Sequence, residues 1–218
     1  MRPRHALREW VVFERALGKG RTLVLADFDG TLAELAPTPR QARLRPAVKR
    51  TLSRLSRAPG IAVGIVSGRF LADVRRAVGL PGLVYVGNHG LEIQGPGIRF
   101  LHRGAQAGRP IMRRLGAQLC CVLNDIPGSL VEPKGLTLSL HWRRVPGAQV
   151  ERFRRRVQMT LRPWRRAGRI RVTRGKRVVE VRPPIAWHKG SVVDRLLRSA
   201  RYRGSRVLYL GDDLTDID

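Results

Sequence analysis

The chain of 218 residues is short of several things. Cysteine occurs only as Cys120 and Cys121. Adjacent in an apolar helical pattern, with no Cys-x-x-Cys, they offer neither a disulfide framework nor a thiolate metal site, and read as reduced core thiols of a cytoplasmic protein. Aromatic residues make up 6%, too few for a row of base-stacking platforms. Long apolar runs are missing: IAVGIV at 61–66 cannot span a bilayer, and WVVF at 10–13 is flanked by charges foreign to a signal-peptide core. A membrane or secreted protein is not expected. Lysine is nearly absent, with Lys19, Lys49, Lys134, Lys176 and Lys189 standing against 38 arginines. Carboxylates are scarce too, at 16, which leaves a formal charge of +27. Such an excess attracts polyanions, but the arginines form no single block and read as solvated surface. Nucleic acid is therefore not the expected partner.

The few carboxylates are spread unevenly. Asp27 and Asp29 stand together, and Asp212, Asp213, Asp216 and Asp218 crowd the last seven positions. Solubility does not call for that arrangement, so these clusters are candidate sites.

Hydrophobic residues reach 43% of the chain, enough for a packed core. A lead-in helix is expected over 7–17. The runs TLVLA (22–26), IAVGIV (61–66) and LVYV (83–86) are continuously apolar, as in buried parallel strands. Helical stripes lie between them, at Val48, Leu52 and Leu55 and at Phe70, Val74, Ala77 and Val78. This alternation predicts a doubly wound parallel α/β sheet with ligands at the strand C-termini. From about residue 96 the order becomes αββαββ, which suggests an inserted α+β module. The parallel pattern resumes with a helix over Val192–Leu197 and a strand over Val207–Leu210. The expected domains are 1–95, an inserted 96–183, and 184–218.

Each candidate motif follows a predicted strand or opens a helix. In DFDGT (27–31), two carboxylates two residues apart converge in a tight turn; one can attack phosphorus while the other moves a proton. A bare Asp-x-Asp is more often an Asx turn capping a strand than a catalytic pair. GDDLTDID (211–218) adds oxygen donors suited to Mg²⁺. Ser67 of Ser67-Gly68-Arg69 caps a helix or holds a phosphoryl oxygen, and Lys189 is a surface lysine or a counter-charge for that group. Their joint occurrence in this order is more specific than any one of them.

The order resembles the haloacid dehalogenase superfamily of phosphatases. More narrowly, the chain resembles the trehalose-6-phosphate phosphatase family through DFDGTLAELAPTP (27–39), IVSGR (65–69), VGNHGLEI (86–93), EPKGLTLSLHWR (132–143), GKRVVEVRP (175–183), HKG (188–190) and GDDLTD (211–216). The resemblance implies a haloacid dehalogenase-like core with an inserted cap domain, and Mg²⁺-dependent hydrolysis of trehalose 6-phosphate through an aspartyl phosphate. It implies Asp27 as nucleophile and Asp29 as general acid and base. Asp27, Asp29 and Asp212 would be the metal ligands, with Asp213 and Asp216 in support, and Ser67 and Lys189 would bind the phosphoryl group. It further implies contacts to the disaccharide hydroxyls from Glu132, Lys134, Lys176 and Glu180, with Arg69, Asn88 and His89 as further substrate-binding residues. For the cap residues taken singly, a cross-strand ion pair is the alternative. A trehalose-6-phosphate synthase is the protein partner such an enzyme would have. Alternatives are a phosphatase of another sugar phosphate (mannosyl-3-phosphoglycerate or sucrose phosphate) and an inactive truncated module that binds polyanions or regulates. Two departures stand out: Ile217 replaces the family's usual Glu, and the family continues past the position of Asp218, which leads one to expect a fragment or a truncated protein.

Overall fold

The structure is a computed structural model that describes residues 8–18, 20–34, 36 and 41–212. A helix, α1 (Trp10–Leu17), leads into strand β1 (Thr22–Asp27). Then follow α2 (Pro46–Leu55), β2 (Ile61–Val66), α3 (Leu71–Val78), β3 (Val84–Gly87), and a hairpin of β4 (Glu92–Gly95) and β5 (Ile98–Leu101). Helices α4 (Arg103–Ala107) and α5 (Arg109–Leu123), strands β6 (Leu130–Pro133) and β7 (Leu138–His141), helix α6 (Gly147–Arg166) and strands β8 (Arg171–Gly175) and β9 (Val178–Arg182) form a second unit. The chain returns through α7 (Lys189–Leu197) and β10 (Arg206–Leu210).

The first sheet has the order β10-β1-β2-β3-β4-β5. Its first four strands are parallel, and both faces are covered. One face carries Val63, Ile65 and Tyr85 against α2 and α3. The other carries Leu23, Leu25, Val66 and Val84 against Val192 and Leu196 of α7. Burial on both sides is why these strands read as unbroken apolar runs. The expected doubly wound parallel sheet is thus present, with an antiparallel extension. Strands β4 and β5 are joined by Pro96-Gly97, with Gly97 at φ 71, and a two-residue connection can only link antiparallel neighbours. The expected break at residue 95 cuts through this hairpin, which continues the first sheet to Leu101.

The second sheet, β6-β7-β9-β8, is antiparallel throughout. One face packs Leu138, Leu140 and Val181 on Leu115, Leu119, Phe153 and Val157 of α5 and α6. The opposite face carries a polar row across three register pairs, Glu132↔Ser139, Ser139↔Glu180 and Glu180↔Thr173. Cys120 and Cys121 are exposed, not core thiols. The buried stripe of α5 is Met112, Leu115, Gly116, Leu119 and Leu123, which turns positions 120 and 121 outward. Among the described residues, no helix is long and apolar enough to cross a membrane.

Candidate active site

Register brings the motifs together. Asp27 is the last residue of β1 and lies opposite Val66, so DFDGT and Ser67-Gly68-Arg69 leave the sheet side by side. Backbone bonds fasten the loops: Phe28 N–H donates to Val66 O at 3.1 Å, Ser67 N–H to Val86 O at 3.0 Å and His89 N–H to Ser67 O at 3.1 Å. On the other flank Ala26 pairs with Leu210, and this brings Asp212 to the same edge. A Cβ on Gly30, whose φ is +95°, would stand 2.2 Å from Asp212 Oδ2; only glycine leaves room for that carboxylate. The Thr31 hydroxyl donates to Asp212 Oδ1 at 3.2 Å. Asp27 and Ser67 are buried, 8% and 1% exposed.

Asp29 is held by Arg69, whose Nε donates to Oδ2 at 2.8 Å and whose terminal nitrogen donates to Oδ1 at 2.6 Å. The guanidinium also lies 5.0 Å from the centre of the Phe28 ring. Arg69, expected among the substrate-binding residues, therefore spends its fork on a carboxylate of this chain.

The polar row of the second sheet faces these loops. Lys134 Nζ donates to Gly68 O at 3.0 Å and lies 3.5 Å from Glu180 and 4.0 Å from Glu132. Ser139 Oγ donates to Glu180 Oε1 at 2.8 Å, and the His141 ring meets Glu132 at 2.7 Å. Burial alone would raise Glu180, but Lys134, His89 and Ser139 favour its charged form and hold it well below the usual carboxylate range. The same contest lowers Glu132, where the His141 contact and the Lys134 charge outweigh burial.

Asn88 joins the two units. It is fully buried, its amide donates to Glu92 and, at 3.0 Å, to Lys134 O, and its carbonyl accepts from Thr137 Oγ1 at 2.6 Å. Its φ of 48° and that of His89, 58°, lie in the left-handed region, which Asn tolerates better than most residues. The His89 ring packs on Gly68, where a Cβ would meet its Cε1 at 2.4 Å, and its Nε2 lies 3.8 Å from Glu180. Burial pushes the imidazole down to about 4 against the pull of Glu180.

The structure thus gathers Asp27, Asp29, Ser67, Arg69, Asn88, His89, Glu132, Lys134, Glu180 and Asp212. Lys176 is not among them: it sits exposed on the β8–β9 turn, at the end of β9 away from the Asn88 joint. Asp213 and Asp216 lie outside the described residues, as does the side chain of Lys189, whose backbone opens α7. Sequence reasoning did not single out Ser139 or Thr137, although both stand an even number of residues from the His141 of the EPKGLTLSLHWR stretch, on the polar face of β7 and its run-in.

Carboxylates at the C-terminal ends of parallel strands, beneath a second α+β sheet inserted into the first, are how the haloacid dehalogenase class of phosphatases is built. Solved structures of similar shape include phosphatases. The C-terminal domain of Candida albicans trehalose-6-phosphate phosphatase superposes with a TM-score of 0.75 at 26% identity, covering 90% of this chain and 71% of that one. A trehalose-6-phosphate phosphatase related protein gives a TM-score of 0.75 at 23% identity, over 89% and 79%. The chain belongs to the trehalose-phosphatase family, whose model matches residues 25–218. Trehalose-phosphate phosphatase of Mycobacterium leprae is 38% identical over 203 residues, 89% of this chain and 46% of that protein. The Mycobacterium marinum protein is 39% identical over 203 residues, 91% and 50%. The chain spans about half the length of the curated relatives it matches.

Proposed function

We propose that this chain hydrolyses trehalose 6-phosphate to trehalose and phosphate. The observation that carries the reading is the meeting of two carboxylate sets: Asp27, Asp29 and Asp212 at the sheet edge, and Glu132 and Glu180 with Lys134 on the polar face above. An Asp27 oxygen attacks phosphorus, the bond from phosphorus to the sugar oxygen breaks, and that oxygen takes a proton from the Asp29 carboxyl. Water then attacks the aspartyl phosphate and gives a proton to Asp29, and Asp27 leaves as carboxylate. Ser67 and Lys189 hold the phosphoryl oxygens. Glu132, Lys134, Glu180 and His89 read the sugar hydroxyls, since carboxylates accept and ammonium donates several hydrogen bonds to a polyol. The inserted unit acts as a cap.

The donor set fits Mg²⁺, because Asp27, the Asp29 carbonyl and Asp212 offer hard oxygens and the missing Cβ at Gly30 clears the Asp212 side. Once bound there, the ion supplies charge neutralisation for the phosphate. Asp213 and Asp216 support it. Two free cysteines agree with a reducing cytoplasm, and a synthase that makes the phosphorylated disaccharide is the fitting partner.

The test is phosphate release with Mg²⁺ from trehalose 6-phosphate, glucose 6-phosphate and sucrose 6-phosphate, with Asp27→Asn as blank. Turnover of the first alone is expected. Equal turnover of all three would refute the disaccharide reading, and none from folded protein would refute the enzyme.

A further inference from the structure

We propose that Arg69 is the positioning residue for Asp29. The inference rests on Asp29 being the proton donor and acceptor of the reaction. Both oxygens of that carboxylate are taken by one guanidinium, at 2.8 and 2.6 Å. A planar fork fixes the plane of a carboxylate as well as its place, which a point charge does not do. The fork itself cannot wander. Its side chain is 10% exposed, against 34% for Asp29, and it lies over the Phe28 ring between the two aspartates in sequence. Its backbone is pinned on both sides: the N–H donates to Ser67 Oγ at 3.1 Å and the carbonyl accepts from Asn88 N–H at 2.7 Å. An arginine meant for substrate would present these donors to the cleft. This one aims them at Asp29 across 40 positions of sequence.

The pairing also links Asp29 to the second sheet. Lys134 Nζ donates to the carbonyl of Gly68, the residue before Arg69, and the Asn88 amide donates to the Lys134 carbonyl. Docking of the polar face and placement of the acid thus meet on the three residues Ser67-Gly68-Arg69.

The effect is visible through leaving-group chemistry. A sugar alkoxide needs a proton as it departs, whereas 4-nitrophenolate departs without one. Removing a positioned acid costs roughly 10²–10⁴ in rate. The experiment compares wild type, Arg69→Gln and Arg69→Lys in Mg²⁺ with trehalose 6-phosphate in steady state and 4-nitrophenyl phosphate in stopped flow. Expected for Arg69→Gln is a fall of at least about 100-fold in kcat on the sugar phosphate, with KM within about threefold. A one-equivalent burst of 4-nitrophenolate should survive, because attack by Asp27 is intact and only water activation is slowed. Arg69→Lys should lie nearer to Arg69→Gln than to wild type, and it carries the comparison if Arg69→Gln melts below the assay temperature. A raised KM at unchanged kcat would overturn the inference by making Arg69 a substrate contact. Loss of burst and turnover together would overturn it in favour of general structural support. Full sugar-phosphate activity in Arg69→Gln overturns it alone, while a wild type inert on both substrates overturns the phosphatase reading and this inference with it.

Discussion

Asn88→Ala should loosen both units at once. The side chain is fully buried and makes three hydrogen bonds, to Glu92, to the Lys134 carbonyl and from Thr137. Alanine leaves the fully buried Thr137 hydroxyl without its partner, while the Lys134 carbonyl keeps the Leu136 N–H at 2.9 Å. An unpaired buried polar group costs about 1–3 kcal/mol, and alanine at a φ of 48° adds about 1 kcal/mol of backbone strain. The total is about 3 kcal/mol, which for a chain of this size lowers Tm by roughly 6–12 °C. Thr137→Val removes one of the same bonds and should cost about 1–2 kcal/mol. The double variant should then fall short of the sum by at least about 1 kcal/mol, because one bond cannot be lost twice. Asn88→Gly separates the terms, since glycine accepts the dihedral and still drops the bonds. Differential scanning calorimetry of wild type and the four variants at neutral pH decides the matter. An Asn88→Ala Tm within 2 °C of wild type, or strict additivity, would refute the joint.

Two further outcomes are expected. His89 is held neutral by burial and takes its proton in the fold only near pH 4, against 6.5 in the unfolded chain; the unfolded state therefore binds more protons between those values, and stability falls as pH drops through that window. In His89→Gln that part of the slope should vanish, and parallel Tm-versus-pH curves from 7 to 4.5 would contradict it. Gly30→Ala puts a Cβ 2.2 Å from Asp212 Oδ2 at a φ of +95°, so Mg²⁺ affinity by calorimetric titration should weaken at least about tenfold, as when a ligand's support is removed, and unchanged binding would dismiss Asp212 as a ligand.

Much of the core was legible because burial on both faces leaves a plain mark: TLVLA and IAVGIV became β1 and β2 with ends within a residue. The hairpin over 92–101 was not read as part of the sheet. Its strands are half-buried and interrupted by polar residues, as Glu92, Gln94 and Arg99 show, and only Gly95-Pro96-Gly97 announced a turn. The cysteines misled because two adjacent helical positions lie about 100° apart, and the stripe through Leu119 and Leu123 passes them on the inside. In the site, the residue types were readable and the pairings were not. Arg69 could be named as a donor, but its partner depends on Asp27 lying opposite Val66, a register that no local pattern specifies. Lys134 likewise carried a sugar-binding expectation, while its bond to Gly68 O requires the second sheet to be docked.

The pairing of β1 with β10 has a bearing on how the molecule is made. Thr22 lies beside Arg206 and Ala26 beside Leu210, so β1 waits for a neighbour synthesised after the whole second unit. The second sheet closes on contacts within residues 109–182 and can form by itself in the meantime. Strand β1 cannot, and contacts so distant in sequence close slowly. During that interval its open edge exposes Leu23 and Leu25 next to unpaired backbone, the kind of surface that chaperones shield and that aggregates when left bare. The same late strand delivers Asp212. Asp27 and Asp29 therefore acquire their third carboxylate only when a segment far along the chain has paired with β1, 181 positions separating Thr31 from the Asp212 it bonds.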